Sequence, residues 1–203
     1  MGKIKSDNLI LVFVKNILLG KVKTRLAKTK GDVYAFHVYK KLVDYTQKIT
    51  ESATNCDVRP YFSDIVIQNK WEKHQKFVQD GTNLGERMLN AFEQGFKDGY
   101  KKIIIVGSDC PQLSTDIIDE AFTALNKKDT VIGPAKDGGY YLLGMKKLHE
   151  SLFRNKDWST DQVLPATIAD IKLLNLSIHE LITLSDIDTE EDLKNFPEFM
   201  PEN

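Results

Sequence analysis

Asp109 has the clearest chemical prospect in this chain. It follows Lys102-Ile103-Ile104-Ile105-Val106-Gly107-Ser108 and precedes Cys110-Pro111. Four consecutive branched aliphatics read as a strand buried on both faces of a parallel sheet, and Gly107 and Pro111 end it. Asp109 is thereby set at the carboxyl end of a central strand, the edge at which open α/β sheets bind ligands. A carboxylate held there is a candidate ligand for a hard divalent cation. The alternative is an Asp that closes the following turn through its own backbone. A second acid, Asp188, falls between a strand and a helix start in Asp186-Ile187-Asp188-Thr189-Glu190-Glu191-Asp192. It either stabilises that helix N-terminus or reaches the same edge as Asp109 and completes a site for Mg2+ or Mn2+ with phosphate oxygens and water. A third, Asp137, precedes Gly138 and Gly139. That segment is either a hairpin turn or a place where backbone approaches a ligand closely.

A second constellation is basic. Lys15, Lys21, Lys23 and Arg25, with Gly20 and Thr24 among them, fall within eleven positions after the first predicted strand. A strand leading through a glycine-bearing loop to a helix start binds phosphate through backbone N–H groups. Lys23 and Arg25 would add charge and a bidentate fork. Val22, rather than glycine, precedes Lys23-Thr24, so the loop is not a Walker A loop. The plainer reading is a solvated basic loop. Trp158, Ser159 and Thr160 either anchor and cap the following helix or line the acceptor side of a pocket. His37, His74, His149 and His179 fall in no metal spacing, and Cys56 and Cys110 make neither a zinc nor a redox motif. No nucleophile elbow is present.

The elements that must position these groups alternate in type. Strands are predicted over 9–14, 57–62 (near an edge, because of Pro60), 76–79, 103–106, 130–132, 140–143 and 179–184. Helices are predicted over 33–50 with Asp32 as cap, 67–75, 84–96 closed by Gly99, 115–125, 162–174 and 189–196, with a helical turn over 148–153. Thr189 and Asp192 have the spacing of a capping box. This alternation predicts one α/β domain over 1–203, a mostly parallel sheet flanked by helices. Residues 138–157 break the alternation and predict a small antiparallel extension that widens one end of the sheet into an acceptor pocket.

With 203 residues, 28% charged and a net charge of −1, the chain has no basic excess for nucleic acid and no basic amphipathic segment for a membrane surface. Neither a transmembrane-length run nor a signal peptide is expected, because Lys5, Ser6, Asp7 and Asn8 interrupt the apolar residues between Ile4 and Val14. The expected location is the cytoplasm, and a homo-oligomer is left open.

Seven segments together resemble a known family: Val12-Phe13-Val14-Lys15-Asn16, Gly20-Lys21-Val22-Lys23-Thr24-Arg25-Leu26, Gly85-Glu86-Arg87-Met88, Gly107-Ser108-Asp109-Cys110-Pro111, Asp137-Gly138-Gly139-Tyr140, Trp158-Ser159-Thr160 and Asp186-Ile187-Asp188-Thr189. In that order they resemble a bacterial glycosyltransferase-like family of the nucleotide-diphospho-sugar transferase superfamily, with the GT-A fold. Its relatives include phospholactate guanylyltransferase and the molybdenum-cofactor guanylyltransferases. The resemblance implies that Lys15, Lys23 and Arg25, with Gly20 and Thr24, meet the donor, that Asp109 and Asp188 hold Mg2+ or Mn2+, and that Asp137, Gly138 and Gly139 face the acceptor. Asp137 is then the candidate catalytic base. Ile17 stands where many relatives have proline, and the first loop holds one glycine where the molybdenum type has more.

The first expectation is therefore a metal-dependent transferase that moves a sugar from a nucleotide-diphosphate donor to a small-molecule acceptor. The alternative is a nucleotidyltransferase joining a nucleoside triphosphate to a phosphorylated small molecule. A non-catalytic nucleotide-sensing module comes third.

Overall fold

The computed structural model describes residues 6–201. Ile4, Lys5 and the outermost ends of the expected 1–203 domain lie outside the described residues. In chain order the elements are β1 (Asn8–Val14), α1 (Thr24–Lys30), α2 (Asp32–Ser52), β2 (Asp57–Phe62), β3 (Phe77–Val78), α3 (Leu84–Lys97), β4 (Lys102–Gly107), α4 (Thr115–Ala124), β5 (Thr130–Pro134), β6 (Tyr140–Met145), α5 (Val163–Leu173), β7 (Ile178–Glu180) and α6 (Glu190–Lys194). A 3₁₀ turn over Glu150–Phe153 precedes α5.

The strands make a single sheet in the order β3-β2-β1-β4-β6-β5-β7. Its β1–β2, β2–β3, β1–β4 and β5–β7 pairs are parallel. Strand β6 runs antiparallel to both β4 and β5. The fold is thus the mostly parallel α/β sheet predicted from the alternation, and its antiparallel strand lies inside the sheet, between β4 and β5. The physical reason is the short connection from Pro134 to Tyr140: a brief link can return only antiparallel, whereas a parallel crossover needs a dozen or more residues.

Burial explains the apolar runs. In β1, Ile10, Val12 and Val14 pack on one face with Tyr39 and Val43 of α2, while Leu9 and Leu11 pack on the other with Met88 and Phe92 of α3. In β4, Ile104 and Val106 join the first cluster, and Ile103 and Ile105 join the second. Both strands are covered on two sides, as continuous aliphatic runs require. Pro60 pairs with Val12 in the register of β1 and β2, and the outer strand β3 reaches only Tyr61 and Phe62.

Three local expectations differ from the structure. Residues 67–75 form turns rather than a helix. Trp71 there has φ 45° and is fully buried, its indole N–H donating to Thr50 Oγ1 at 3.0 Å. A tertiary anchor outweighs local helical spacing at that point. Helix α1 fills residues 24–30, where the sequence predicts no more than a helix start after the first loop. Asp32 lies inside the first turn of α2, and the cap position belongs to Gly31. Among the described residues no helix is long and apolar enough to cross a membrane.

Candidate active site

The site grows from the carboxyl end of β4. Beyond Gly107, the Ser108 hydroxyl lies 2.8 Å from the Tyr39 hydroxyl of α2. Tyr39 also donates to the Lys15 carbonyl at 3.0 Å and accepts from the Lys15 N–H at 2.9 Å. One buried phenol therefore ties the ends of β1 and β4 together, and burial pushes it up to about 12. Asn16, almost fully buried, holds the loop after β2: its amide accepts from the Asp64 N–H at 2.8 Å and donates to the Ile65 carbonyl at 2.8 Å. Cys110 is buried and unbridged, and burial pushes its thiol up to about 12.

A second segment is clamped onto this strand end. Gln112 Oε1 accepts from the Ser185 N–H at 3.0 Å, and the Asp109 carbonyl accepts from the Ile187 N–H at 3.4 Å. Ile187 is fully buried, so the flanking acids Asp186 and Asp188 turn together to the opposite side, as alternation in an extended segment demands. The Thr189–Asp192 capping box forms as its spacing predicts. Asp192 also accepts from the Asp188 N–H at 3.2 Å. The result brings carboxylate oxygens of Asp109, Asp186 and Asp188 within 4.8 Å of one another. Three hard oxygen donors this close together could hold a divalent cation such as Mg2+ or Mn2+.

Lys23 enters this cluster. Its ammonium lies 2.9 Å from Asp188 Oδ1 and 3.1 Å from Asp109 Oδ2, with the side chain 5% exposed. Burial alone would lower its pKa, but the Asp109 and Asp188 carboxylates overcome that and hold the ammonium above its ordinary range. Arg25 approaches Asp188 Oδ2 at 3.5 Å from a largely exposed position. Asp186 is pushed up to about 6, chiefly by burial and then by the charges of Asp109 and Asp137.

These groups line a cleft of about 740 Å3, together with Lys15, Thr24, Asp137, Gly139, Trp158, Ser159 and Thr160. Two expected residues stand apart. Gly20 occupies a turn at φ 72°, where an added Cβ would come within 3.4 Å of the Asp32 carboxylate. Gly138, at φ 88°, packs against the 158–162 segment; a Cβ there would fall 2.5 Å from the Asp161 backbone, and its carbonyl accepts from the Leu164 N–H at 2.9 Å. Asp137 is exposed, and its Oδ1 accepts from the Gly139 N–H at 2.9 Å. Trp158 lies across Gly85 at the start of α3, so closely that a Cβ on Gly85 would fall 2.5 Å from the indole nitrogen.

The sequence reading assigned no role to Asp186, Arg87 or Ser63, all of which line the cleft. Asp186 had a signal in its spacing, two residues before Asp188 with an apolar residue between. Arg87 projects from α3, donating through Nε to the Gly81 carbonyl at 3.1 Å. Its one signal is the Gly85-Glu86-Arg87-Met88 segment of the resemblance, to which no role is attached.

The chain is similar to a 2-phospho-L-lactate guanylyltransferase of Methanobrevibacter smithii, 30% identical over 152 residues that make up 73% of this chain and 62% of that protein. It is also similar to a 2-C-methyl-D-erythritol 4-phosphate cytidylyltransferase of Bacillus cereus, 28% identical over 87 residues, 42% of this chain and 38% of that one. The chain thus spans less than two thirds of the length of these curated relatives. The crystal structure of a candidate nucleotide-diphospho-sugar transferase from Desulfovibrio desulfuricans G20 matches at TM-score 0.85 and 32% identity, covering 93% of this chain and 85% of that one. Each of these three proteins is named as a transferase, two as nucleotidyltransferases and one as a nucleotide-diphospho-sugar transferase. Residues 52–160, more than half of the chain, match the family described as uncharacterized protein conserved in bacteria (DUF2064), and the chain belongs to that family.

Proposed function

We propose that this protein is a metal-assisted nucleotidyltransferase that joins a nucleoside monophosphate unit, taken from a nucleoside triphosphate, to a phosphorylated small molecule. The observation that carries this reading is the convergence of Asp109, Asp186 and Asp188 with Lys23 and Arg25 on one wall of the cleft. A phosphate oxygen of the acceptor attacks the α-phosphorus, and the bond to the β,γ-pyrophosphate breaks as that group departs with the electron pair. Lys15, Lys23 and Arg25 bind the donor phosphates and meet the negative charge that builds on the leaving group. Asp109, Asp186 and Asp188 would hold Mg2+ or Mn2+, which supplies Lewis-acid stabilisation of the same charge. Trp158, Ser159, Thr160 and Gly139 face the acceptor. The reading takes the chain as one domain acting in the cytoplasm.

Asp137 separates this reading from sugar transfer. Attack by a sugar or alcohol hydroxyl needs a base within hydrogen-bond reach, and one Asp137 oxygen is already engaged by the Gly139 N–H. A phosphate nucleophile is anionic before it reacts and asks nothing of Asp137. Transfer from a nucleotide-diphosphate sugar is the second reading, favoured by the likeness to the Desulfovibrio protein.

Isotope tracing tests the choice. With α-labelled GTP or CTP and a panel of phosphorylated acceptors, label in the product together with released pyrophosphate supports nucleotidyl transfer. Product label arising only from the sugar of a nucleotide sugar overturns it.

A further inference from the structure

We propose that Lys23 is a tethered cation that competes with the divalent metal for Asp109 and Asp188, so that the metal binds tightly only once donor phosphates draw the ammonium away. This rests on reading the acidic cluster as the metal site.

The argument starts from occupancy of ligand atoms. The Lys23 ammonium holds Asp188 Oδ1 and Asp109 Oδ2 at 2.9 and 3.1 Å. Arg25 stands 3.5 Å from the second Asp188 oxygen. A divalent ion drawn to the same two carboxylates would stand close to the Lys23 ammonium, so the two positive charges repel and compete for one pair of acids. Charge gives the same answer. Three carboxylates against two cations leave one net negative charge in the cluster, a weak attraction for a doubly charged ion that must shed water to bind. The Lys23 side chain is more deeply buried, 5% exposed, than either acid it joins, at 45% and 36%. It is therefore the inner member of the group rather than a surface ion pair.

The geometry also supplies the moving part. Val22 is 2% exposed and seated in the core, and the Lys23 backbone is set at φ 46°, ψ 48° at the head of α1. The main chain is anchored while the four-carbon side chain turns about its own bonds. Phosphates entering the cleft offer the ammonium new acceptors. The released carboxylate oxygens then face the metal. Because coupling between binding events is reciprocal, metal and nucleotide tighten one another.

The test is calorimetric titration of the full chain with Mn2+ alone, with folding followed by circular dichroism. Compared are the wild type, Lys23→Met, Lys23→Arg, Asp109→Asn, and Lys23→Met combined with Asp109→Asn. Lys23→Met binds Mn2+ about tenfold more tightly than wild type, within the range usual for coupled sites. Lys23→Arg, which keeps the charge, stays weak, and the double variant loses the gain. Removing a merely structural lysine would not tighten a metal. If Lys23→Met does not fold, Lys23→Gln carries the same expectation. Mn2+ affinity in Lys23→Met equal to or below wild type, while Asp109→Asn still weakens it, overturns the competition and leaves the metal site standing. No Mn2+ binding in any variant, or a gain that survives Asp109→Asn, overturns the metal site and the competition with it.

Discussion

The two walls of the cleft are held by different forces. The wall formed by the ends of β1 and β4 and the 185–188 segment is interlocked: Tyr39 bridges Lys15 and Ser108, and Lys23 bridges Asp109 and Asp188. The wall formed by residues 137–139 and 158–160 is a set of partly to fully exposed turns. Gly138 and Ser159 have φ of 88° and 66°, and Asp137 and Thr160 close local loops onto neighbouring backbone. The Tyr39 bonds fix the backbone of that wall, and the Lys23 pairs hold until phosphate oxygens replace the carboxylates, because a buried charge separated without a new partner is left uncompensated. Exposed turns held by local hydrogen bonds deform at small cost. The contrast suits a transferase in which the phosphate end stays constant and the acceptor end is free to vary.

Breaking the first wall has the largest expected effect. Asp109→Asn abolishes Mn2+-dependent nucleotide binding and lowers the transfer rate by at least about 100-fold, or ~3 kcal/mol, with circular dichroism unchanged. Retention of metal-dependent affinity would remove Asp109 from the site. Gly138→Ala comes next and strikes only the second wall. Its left-handed backbone and the 2.5 Å approach to Asp161 predict a loss of about 2 kcal/mol, a melting point lower by ~4–8 °C, and an unaltered Mn2+ affinity. A matching loss of Mn2+ affinity would show that the walls are not independent.

Asp137→Asn sharpens the comparison further. Nucleotidyl transfer predicts a rate within about threefold of wild type, whereas a general-base role predicts a fall of at least ~100-fold. Steady-state kinetics decides between them. A comparably small effect is expected from Arg25→Ala. Arg25 is 66% exposed and 3.5 Å from Asp188, so nucleotide affinity measured by calorimetry falls only ~2–5-fold. A larger loss would mark Arg25 as a direct and desolvated phosphate ligand.

Legibility followed the range of the interactions. The β4 run and Asp109 were readable because a strand buried on both faces leaves a local aliphatic signature. The Thr189–Asp192 cap was readable because its partners are three residues apart. Residues 67–75 misled because the burial of Trp71 against Phe62 and Thr50 is a long-range effect. Helix α1 was missed for a related reason. Among its residues Leu26 is the one fully buried, too little for a periodic pattern, and the helix is stabilised by packing on α2 and Ile187.

The sequence by itself determined the alternating α/β architecture, the strand-end placement of Asp109 and the proximity of a basic loop to the first strand. Each depends on spacing within a few residues, where apolar periodicity and turn chemistry act directly. Only the tertiary structure decided that Asp186 joins Asp109 and Asp188, that Arg87 lines the same cleft, and that the Lys23 ammonium sits between two carboxylates 86 and 165 positions away. Those juxtapositions are set by the register of β1 against β4 and by the clamping of residues 185–188 onto the β4 end. Coulombic attraction acts through space between groups that chain order leaves far apart.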